Sequence, residues 1–429
     1  MKKNNRYLIP VILITCLFFL WAFLHNINPV LIPHLKKACR LSDTQSAFID
    51  TAIYLGYFSL AIPAGWFMHK YGYKKAVLFG LLLFGCGFLL FIPAADSRQY
   101  AFFLIALFIG AAGATFLETV ANPYITKLGD EKSATQRLNF AQSFNGVGAF
   151  IAPIIGGSLI LSGIEHSPEE FNQMSPEQLN AYLSSEAATV KMPYLFLGVA
   201  VFVLLIIIVF TKLPEIHEKD EKESASFSLK VFRHIHFRWA VAAQFFYIGA
   251  QVGIGSFFVR FSKYVADMHE KEAAFLWGSI AMVGFMIGRF AGTFFMKFIR
   301  PEKLLALYAA VNFILIIVAV SAYGKIAVYA LMAVPFFLSI MFPTIFALGI
   351  QGLGEETKIA SSFIVMSIVG GALFPLIMGG ISDSTGGNIQ ISYIVPMLCF
   401  AVVLIYAVKQ VKFLNASGNK LVRAYKQDQ

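Results

Sequence analysis

Hydrophobic and polar positions in this chain fall into long blocks. Apolar runs of about 20 residues or more are separated by short polar or basic connections. A helix that crosses a bilayer needs about 20 predominantly apolar residues. By that measure the pattern predicts roughly twelve spans, at 8–33, 45–69, 75–95, 99–126, 137–163, 193–213, 237–262, 272–297, 303–322, 325–352, 359–382 and 390–411. Several exceed the hydrocarbon thickness and are expected to tilt. The predicted class is an all-α membrane protein.

The connections alternate in charge. "MKKNNR", "HKYGYKK", the stretch from Lys212 to Arg238, "KFIRPEK" and the tail with Lys412, Lys420 and Arg423 are rich in Lys and Arg. They alternate with "AADSR", "YGK" and "DSTGGN". Basic loops stay on the cytoplasmic side, so an even number of spans with both termini cytoplasmic is expected. "HLKKACR", after the first span, runs against the alternation. Two connections are long. Ser162 to Lys191 is polar and acidic and reads as an outer loop; Leu213 to Arg238 is highly charged and reads as a linker. The expected organisation is an N-terminal six-helix bundle over 1–213, a cytoplasmic linker over 214–236, and a C-terminal six-helix bundle over 237–429 with a short cytoplasmic tail.

The halves repeat. Gly148, Pro153 and Gly157 recur 222 residues later as Gly370, Pro375 and Gly379. Pro123, Leu128 and Gly129 recur 220 later as Pro343, Leu348 and Gly349, and Gly65 and Lys70 recur 227 later as Gly292 and Lys297. Matches in one order at nearly one offset argue for duplication. Two parallel six-helix halves are a transporter design.

Composition sharpens the class. The chain is 58% hydrophobic and 14% charged, with 44 Phe, where soluble domains carry about a quarter charged residues. The net charge of +10 belongs to the loops beside the spans, and no basic patch with base-stacking aromatics points to nucleic acid. Cys16, Cys39, Cys86 and Cys399 lack metal-ligand spacing. The N-terminus is basic and then apolar, like a signal peptide, but no small-residue cleavage site follows, so it reads as a retained first helix. "GAAGA" near Gly110 has no Lys-Ser/Thr after it; it reads as close helix packing through small residues, not as a phosphate loop. No zinc, calcium or nucleotide motif is present, and no cofactor is expected.

The candidate chemistry lies inside the spans. In "FIGAAGATFLETVANPYITKLGD" Glu118 stands in an apolar helix. An acid at mid-bilayer costs about 3 kcal/mol on insertion scales. Such residues mark ion or substrate paths; the competing reading is a carboxylate locked to a neighbouring Arg or to backbone. Asn122 shares its face at i+4, and Pro123 frees the carbonyl of Thr119. In "WAFLHNINP" Trp21 and His25 share a face, with Asn26 beside them. His25 is either a titrating group or a neutral histidine near the outer mouth. Gln142 and Asn145 in span 5, and Gln244, Tyr247 and Gln251 in span 7, form polar stripes. Amides with an aromatic plate suit a sugar, with hydrogen bonds to hydroxyls and stacking on its apolar face. The alternative is a polar seam between helices. Arg289, also inside a span, is read as a snorkelling side chain or a conformational latch, not as a substrate ligand.

"FLETVANPYITKLG", "RLNFAQSFNGVGA", "MSPEQLNAY", "RWAVAAQFFYIGAQ" and "PTIFALGIQGLGEETKIASSFIVMSIVGG" resemble the fucose/glucose/galactose–proton symporters of the major facilitator superfamily, and the likeness runs along essentially the whole chain. It implies twelve helices in two pseudo-symmetric six-helix bundles. It also implies a proton-driven symporter of a neutral monosaccharide, L-fucose first, working by alternating access in the inner membrane as a monomer. Glu118 matches the family's span-4 glutamate, Asn26 and Gln142 its span-1 and span-5 amides, and Trp21 its span-1 aromatic. Three positions depart. Pro29 stands at a span-1 aspartate, Gly255 at a span-7 aromatic, and His69 at the acidic residue of the loop between spans 2 and 3. The first leaves three proton routes open: Glu118 alone, Glu118 with His25, or Na⁺ in place of H⁺. Other hexoses, glucose and galactose among them, are the rival cargo. A non-transporting sugar sensor lacks an output domain here, and an intramembrane enzyme lacks a second acid well inside a span.

Overall fold

The computed structural model describes residues 7–27, 31, 34–35, 38–41, 43–160, 174–214 and 229–427, and every element among them is helical. Hydrocarbon offers backbone amides and carbonyls no water, so an apolar chain satisfies them within each segment, and the helix does this. The first half contains α1 (Leu8–Asn26), α2 (Asp43–Leu89), α3 (Phe91–Ser97), α4 (Tyr100–Lys127), α5 (Ala134–Ile160), α6 (Pro176–Ala188) and α7 (Lys191–Phe210). The second contains α8 (Ile235–Ala266), α9 (Glu270–Phe275), a π-helical turn (Leu276–Ala281), α10 (Met282–Phe295), α11 (Pro301–Ser321) and α12 (Lys325–Leu338). It continues with α13 (Met341–Ile350), α14 (Thr357–Met366), α15 (Gly370–Ser384), α16 (Ile389–Ser392) and α17 (Ile394–Gln427).

Among the described residues, nine helical stretches are long and apolar enough to cross a membrane. One of them, Thr51–Ser97, holds two predicted spans. Within it α2 bends at Gly72, whose φ of 83° and ψ of 170° suit a residue without a Cβ. With the first span in α1 and the fifth in α5, this accounts for the twelve predicted crossings. Large apolar side chains such as Phe196, Phe210 and Leu376 are exposed, as lipid-facing residues are in the absence of a bilayer.

The connection read as an outer loop contains helix α6. Its start is written in "SPEQ": Ser175 accepts from the Gln178 amide, the Gln178 side chain accepts from the Ser175 amide, and Pro176 opens the helix. Arg98 fastens α6, donating to the Asn180 carbonyl at 3.1 Å and to Ser184 Oγ at 2.9 Å.

The chain forms two compact units, Met1–Tyr124 with Phe144–Ala225, and Ile125–Ser143 with Ser226–Gln429. The first unit contains a tight seam. A Cβ on Gly113 of α4 would stand 2.3 Å from the Phe84 nitrogen of α2, and one on Gly87 would stand 2.4 Å from the Gly110 nitrogen. "GAAGA" is therefore a packing surface, as its composition predicts. The repeat is equally physical. Gly148 of α5 meets the Phe19 carbonyl of α1, and Gly370 of α15 meets the Phe245 carbonyl of α8. The same close approach recurs at equivalent places in the two units.

The second unit takes Ile125–Ser143 from the first half of the sequence because α5 is hydrogen-bonded there. Gln136 Nε2 donates to the Thr293 carbonyl at 3.2 Å and Asn139 Nδ2 to Thr344 Oγ1 at 3.2 Å. Helix C-termini, which leave carbonyls without partners, are capped by side chains of neighbouring helices. Lys74 Nζ donates to the Val209 and Thr211 carbonyls, both at 2.9 Å. Arg137 reaches Ile125 and Thr126 at 2.7 and 2.6 Å, and Gln390 reaches Ala319 and Ala322 at 2.9 and 2.6 Å.

The seam generates a prediction. Gly113→Val forces a side chain into the Phe84 backbone and should cost at least about 3 kcal/mol, the upper range for overpacking. Gly380→Ala, where nothing lies within 4 Å of the new carbon, should leave the melting temperature unchanged or slightly raised. Thermal melts of the detergent-purified proteins, followed by size-exclusion chromatography, measure both.

Candidate functional site

In the first unit the site is built on α4. Residues 111–126 of this helix are all buried. Glu118, 7% exposed, therefore points into the protein rather than to lipid. The Tyr57 hydroxyl of α2 lies against its carboxyl. Asn122 Nδ2 donates to the Glu118 carbonyl at 2.7 Å, so this amide also bonds its own helix, one turn before the proline break. Tyr57 is the residue that sequence reasoning missed. Its signal was available, since "TAIYLGYFSL" places two tyrosines in an otherwise apolar span.

The span-1 candidates are divided. Trp21 is 2% exposed and packs against Phe18 with ring centroids 4.4 Å apart. Asn26 is half-buried and donates to the Ala22 carbonyl at 2.7 Å. The His25 side chain and residue Pro29 lie outside the described residues. In α5, Gln142 is buried and Asn145, three residues further along the same helix, is half-buried.

In the second unit three helices converge on a break between α12 and α13. Pro343 has no N–H, so the Ser339 carbonyl four residues earlier loses its helical partner. Arg289 of α10 supplies one: its Nε donates to that carbonyl at 2.8 Å. The same guanidinium donates to the Gln142 carbonyl at 2.7 Å and to Gln142 Oε1 at 3.4 Å, and lies 4.5 Å over the Phe285 ring. Arg289 is 3% exposed and does not snorkel. Gly288 makes this possible, since a Cβ there would stand 2.3 Å from the Phe336 carbonyl. Burying a guanidinium costs several kcal/mol unless hydrogen bonds and packing compensate, and here both do.

The span-7 stripe is also in the second unit, on α8. Tyr247 is fully buried and its hydroxyl donates to the Leu338 carbonyl at 3.5 Å, next to the Ser339 break. Its place is in helix packing, not on an open face. Gln244 is different. It is 0% exposed, and neither atom of its amide has a hydrogen-bond partner among the described residues. An unsatisfied buried amide costs about 1–3 kcal/mol, so such groups attract a functional explanation. Gln251, two turns on, is half-buried. Among the described residues no group of three His, Cys, Asp or Glu side chains is placed to hold a metal.

The Ser339 break can be tested by exchange. Arg289→Gln should lower stability by about 1.5–3 kcal/mol, the range for a hydrogen bond to a charged group. Adding Pro343→Ala returns an N–H to the Ser339 carbonyl and should recover part of that loss. Melting temperatures of the single and double variants report the coupling; equal values for the two would show that the carbonyl is not what Arg289 serves.

Comparison with known proteins agrees with this architecture. The family model of the Major Facilitator Superfamily matches residues 12–375. The chain is 43% identical to the L-fucose-proton symporter of Escherichia coli K12 over 413 residues, 94% of each chain. It is 38% identical to the glucose/galactose transporter of Brucella abortus, over 94% of this chain and 95% of the relative. A crystal structure of the transporter FucP in the outward conformation superposes with a TM-score of 0.87 at 42% identity, covering 94% of this chain and 99% of that one. The chain belongs to the Major Facilitator Superfamily.

Proposed function

We propose that the chain is a proton-coupled symporter that imports a neutral monosaccharide, L-fucose first, by alternating access. The observation that carries the coupling is Glu118, a carboxyl buried in α4 against the Tyr57 hydroxyl. A charged acid in that position is expensive, whereas a protonated one donates a hydrogen bond and carries no charge. Proton uptake thereby lowers the cost of closing the site around its cargo, and proton release resets it. The sugar side of the reading is supported by Gln244, whose buried amide has no partner among the described residues, and by relatives named as fucose and glucose/galactose transporters. Asn26, Trp21, Asn145 and Gln251 remain candidate ligands on their residue types. Gln142 and Tyr247 enter as supports that tie α5 and α8 to neighbouring helices, and Asn122 as a bond within α4 beside Glu118.

A second cargo has its own support. Relatives at 38% identity are named glucose/galactose transporters. The proposal extends to a multi-pass protein of the inner membrane, with both termini cytoplasmic and acting as a monomer. H⁺ is the coupling ion; Na⁺ is the alternative, since Pro29 occupies the position of the family's span-1 aspartate.

Uptake into proteoliposomes tests the reading. Radiolabelled L-fucose, D-glucose and D-galactose are presented under an imposed proton gradient, a sodium gradient or neither. L-Fucose should accumulate with the proton gradient. Glu118→Gln should reduce uphill uptake to the level of protein-free liposomes while leaving sugar exchange measurable. Full proton-driven accumulation by that variant would remove Glu118 from the mechanism.

A further inference from the structure

The π-helical turn Leu276–Ala281 has no role in the scheme above. A π turn inserts one extra residue into a helix, and such turns concentrate at functional sites. Here the Met282 amide reaches back five residues to the Trp277 carbonyl. The inward stripe of this span runs Trp277, Ala281, Phe285, Arg289 and Thr293, each four apart. The last four are buried, and Trp277 is half-buried.

Trp277 leans on α8. Its ring lies 4.7 Å from that of Phe258. Its Cζ2 is 3.3 Å, and its Cε2 and Nε1 are 3.6 Å, from the point where a Cβ on Gly255 would sit. Gly255 is one turn after Gln251, on the face that also carries Gln244. The glycine therefore makes room for an indole beside the amide stripe. A tryptophan that anchors a span at the headgroups turns its ring to the interface. This ring is turned to α8.

We infer that Trp277 is a sugar-binding residue, the aromatic plate of the second unit, with Gln251 beside it. The indole face meets the apolar C–H face of a pyranose, and the Gln251 amide meets a hydroxyl at its edge. Gly255 sets specificity by being small: a long or branched side chain there pushes the indole off the stripe. This deepens the proposed function and rests on it.

The test is the kinetics of full-length protein in proteoliposomes, with the sugar the wild-type chain transports. Trp277→Ala should raise KM about five- to tenfold, the size of an aromatic stacking contribution, with kcat changed less than KM. Trp277→Phe should restore most of the affinity. Gly255→Leu, which leaves the tryptophan in place but displaces it, should reproduce the Trp277→Ala defect. The loss should be larger for sugars with an unbroken C–H face than for epimers carrying an axial hydroxyl on it, a pattern that general destabilisation does not produce. If Trp277→Ala does not fold, the Phe and Gly255→Leu variants decide. Wild-type KM in Gly255→Leu, or losses that ignore the epimer, overturns the assignment while leaving the transport reading intact. A wild-type chain that moves no neutral sugar overturns both.

Discussion

The absence of water around the backbone is the constraint on which the helical frame of this protein depends. In hydrocarbon a carbonyl without a partner costs several kcal/mol. Helices remove the problem along their length and leave it at ends, at prolines and at breaks. Those are the places where side chains of this chain are committed. Lys74, Arg137 and Gln390 cap helix ends, and Arg289 serves the carbonyl that Pro343 strands. An arginine deep in a span is costly by itself. It is retained because the carbonyls around Ser339 and Gln142 have a use for its donors.

The same constraint separates the two kinds of polar residue in the spans. Asn122, Tyr247 and Arg289 bond to backbone: Asn122 within its own helix, Tyr247 and Arg289 to a neighbouring one. Glu118 and Gln244 carry groups whose local chemistry helix packing does not call for. Glu118 can exchange a proton; Gln244 offers a donor and an acceptor with no protein partner among the described residues. Gly148 and Gly370 repeat one contact in the two units, but Glu118 occurs in the first half and Arg289 in the second. The equivalent of Pro123 is Pro343, and the residue five before each is Glu118 and Leu338. A symmetric scaffold thus carries an asymmetric set of groups, which fits a proposal that places the proton-coupling acid in one half and draws sugar ligands from both.

Much of the architecture was legible beforehand because bilayer thickness imposes a length on each apolar run. The twelve spans, the duplicated halves and the small-residue seam at Gly110 to Gly113 were all visible in the pattern. The helix within the connection before α7 was equally visible, as a capping box at Ser175, but the acidic composition around it reads as loop. Glu118 stood out because one charge in an apolar run is conspicuous. Tyr57 did not, since tyrosine is common in spans and its partner lies 61 residues further along the chain.

The sequence by itself determined which segments cross the membrane and which residues are too polar to be there without cause. Both are local properties, set by hydrophobicity along a single helix. Tertiary structure decided what each polar residue does, because partners in a helical bundle come from other helices at any separation. Gln142 and Arg289 are 147 residues apart and share hydrogen bonds; Trp277 meets Gly255 across two spans. It also decided that Ile125–Ser143 packs with the second unit. No periodicity records that choice, since it is made by three amides on α5 finding their acceptors and donors on helices that the chain builds much later.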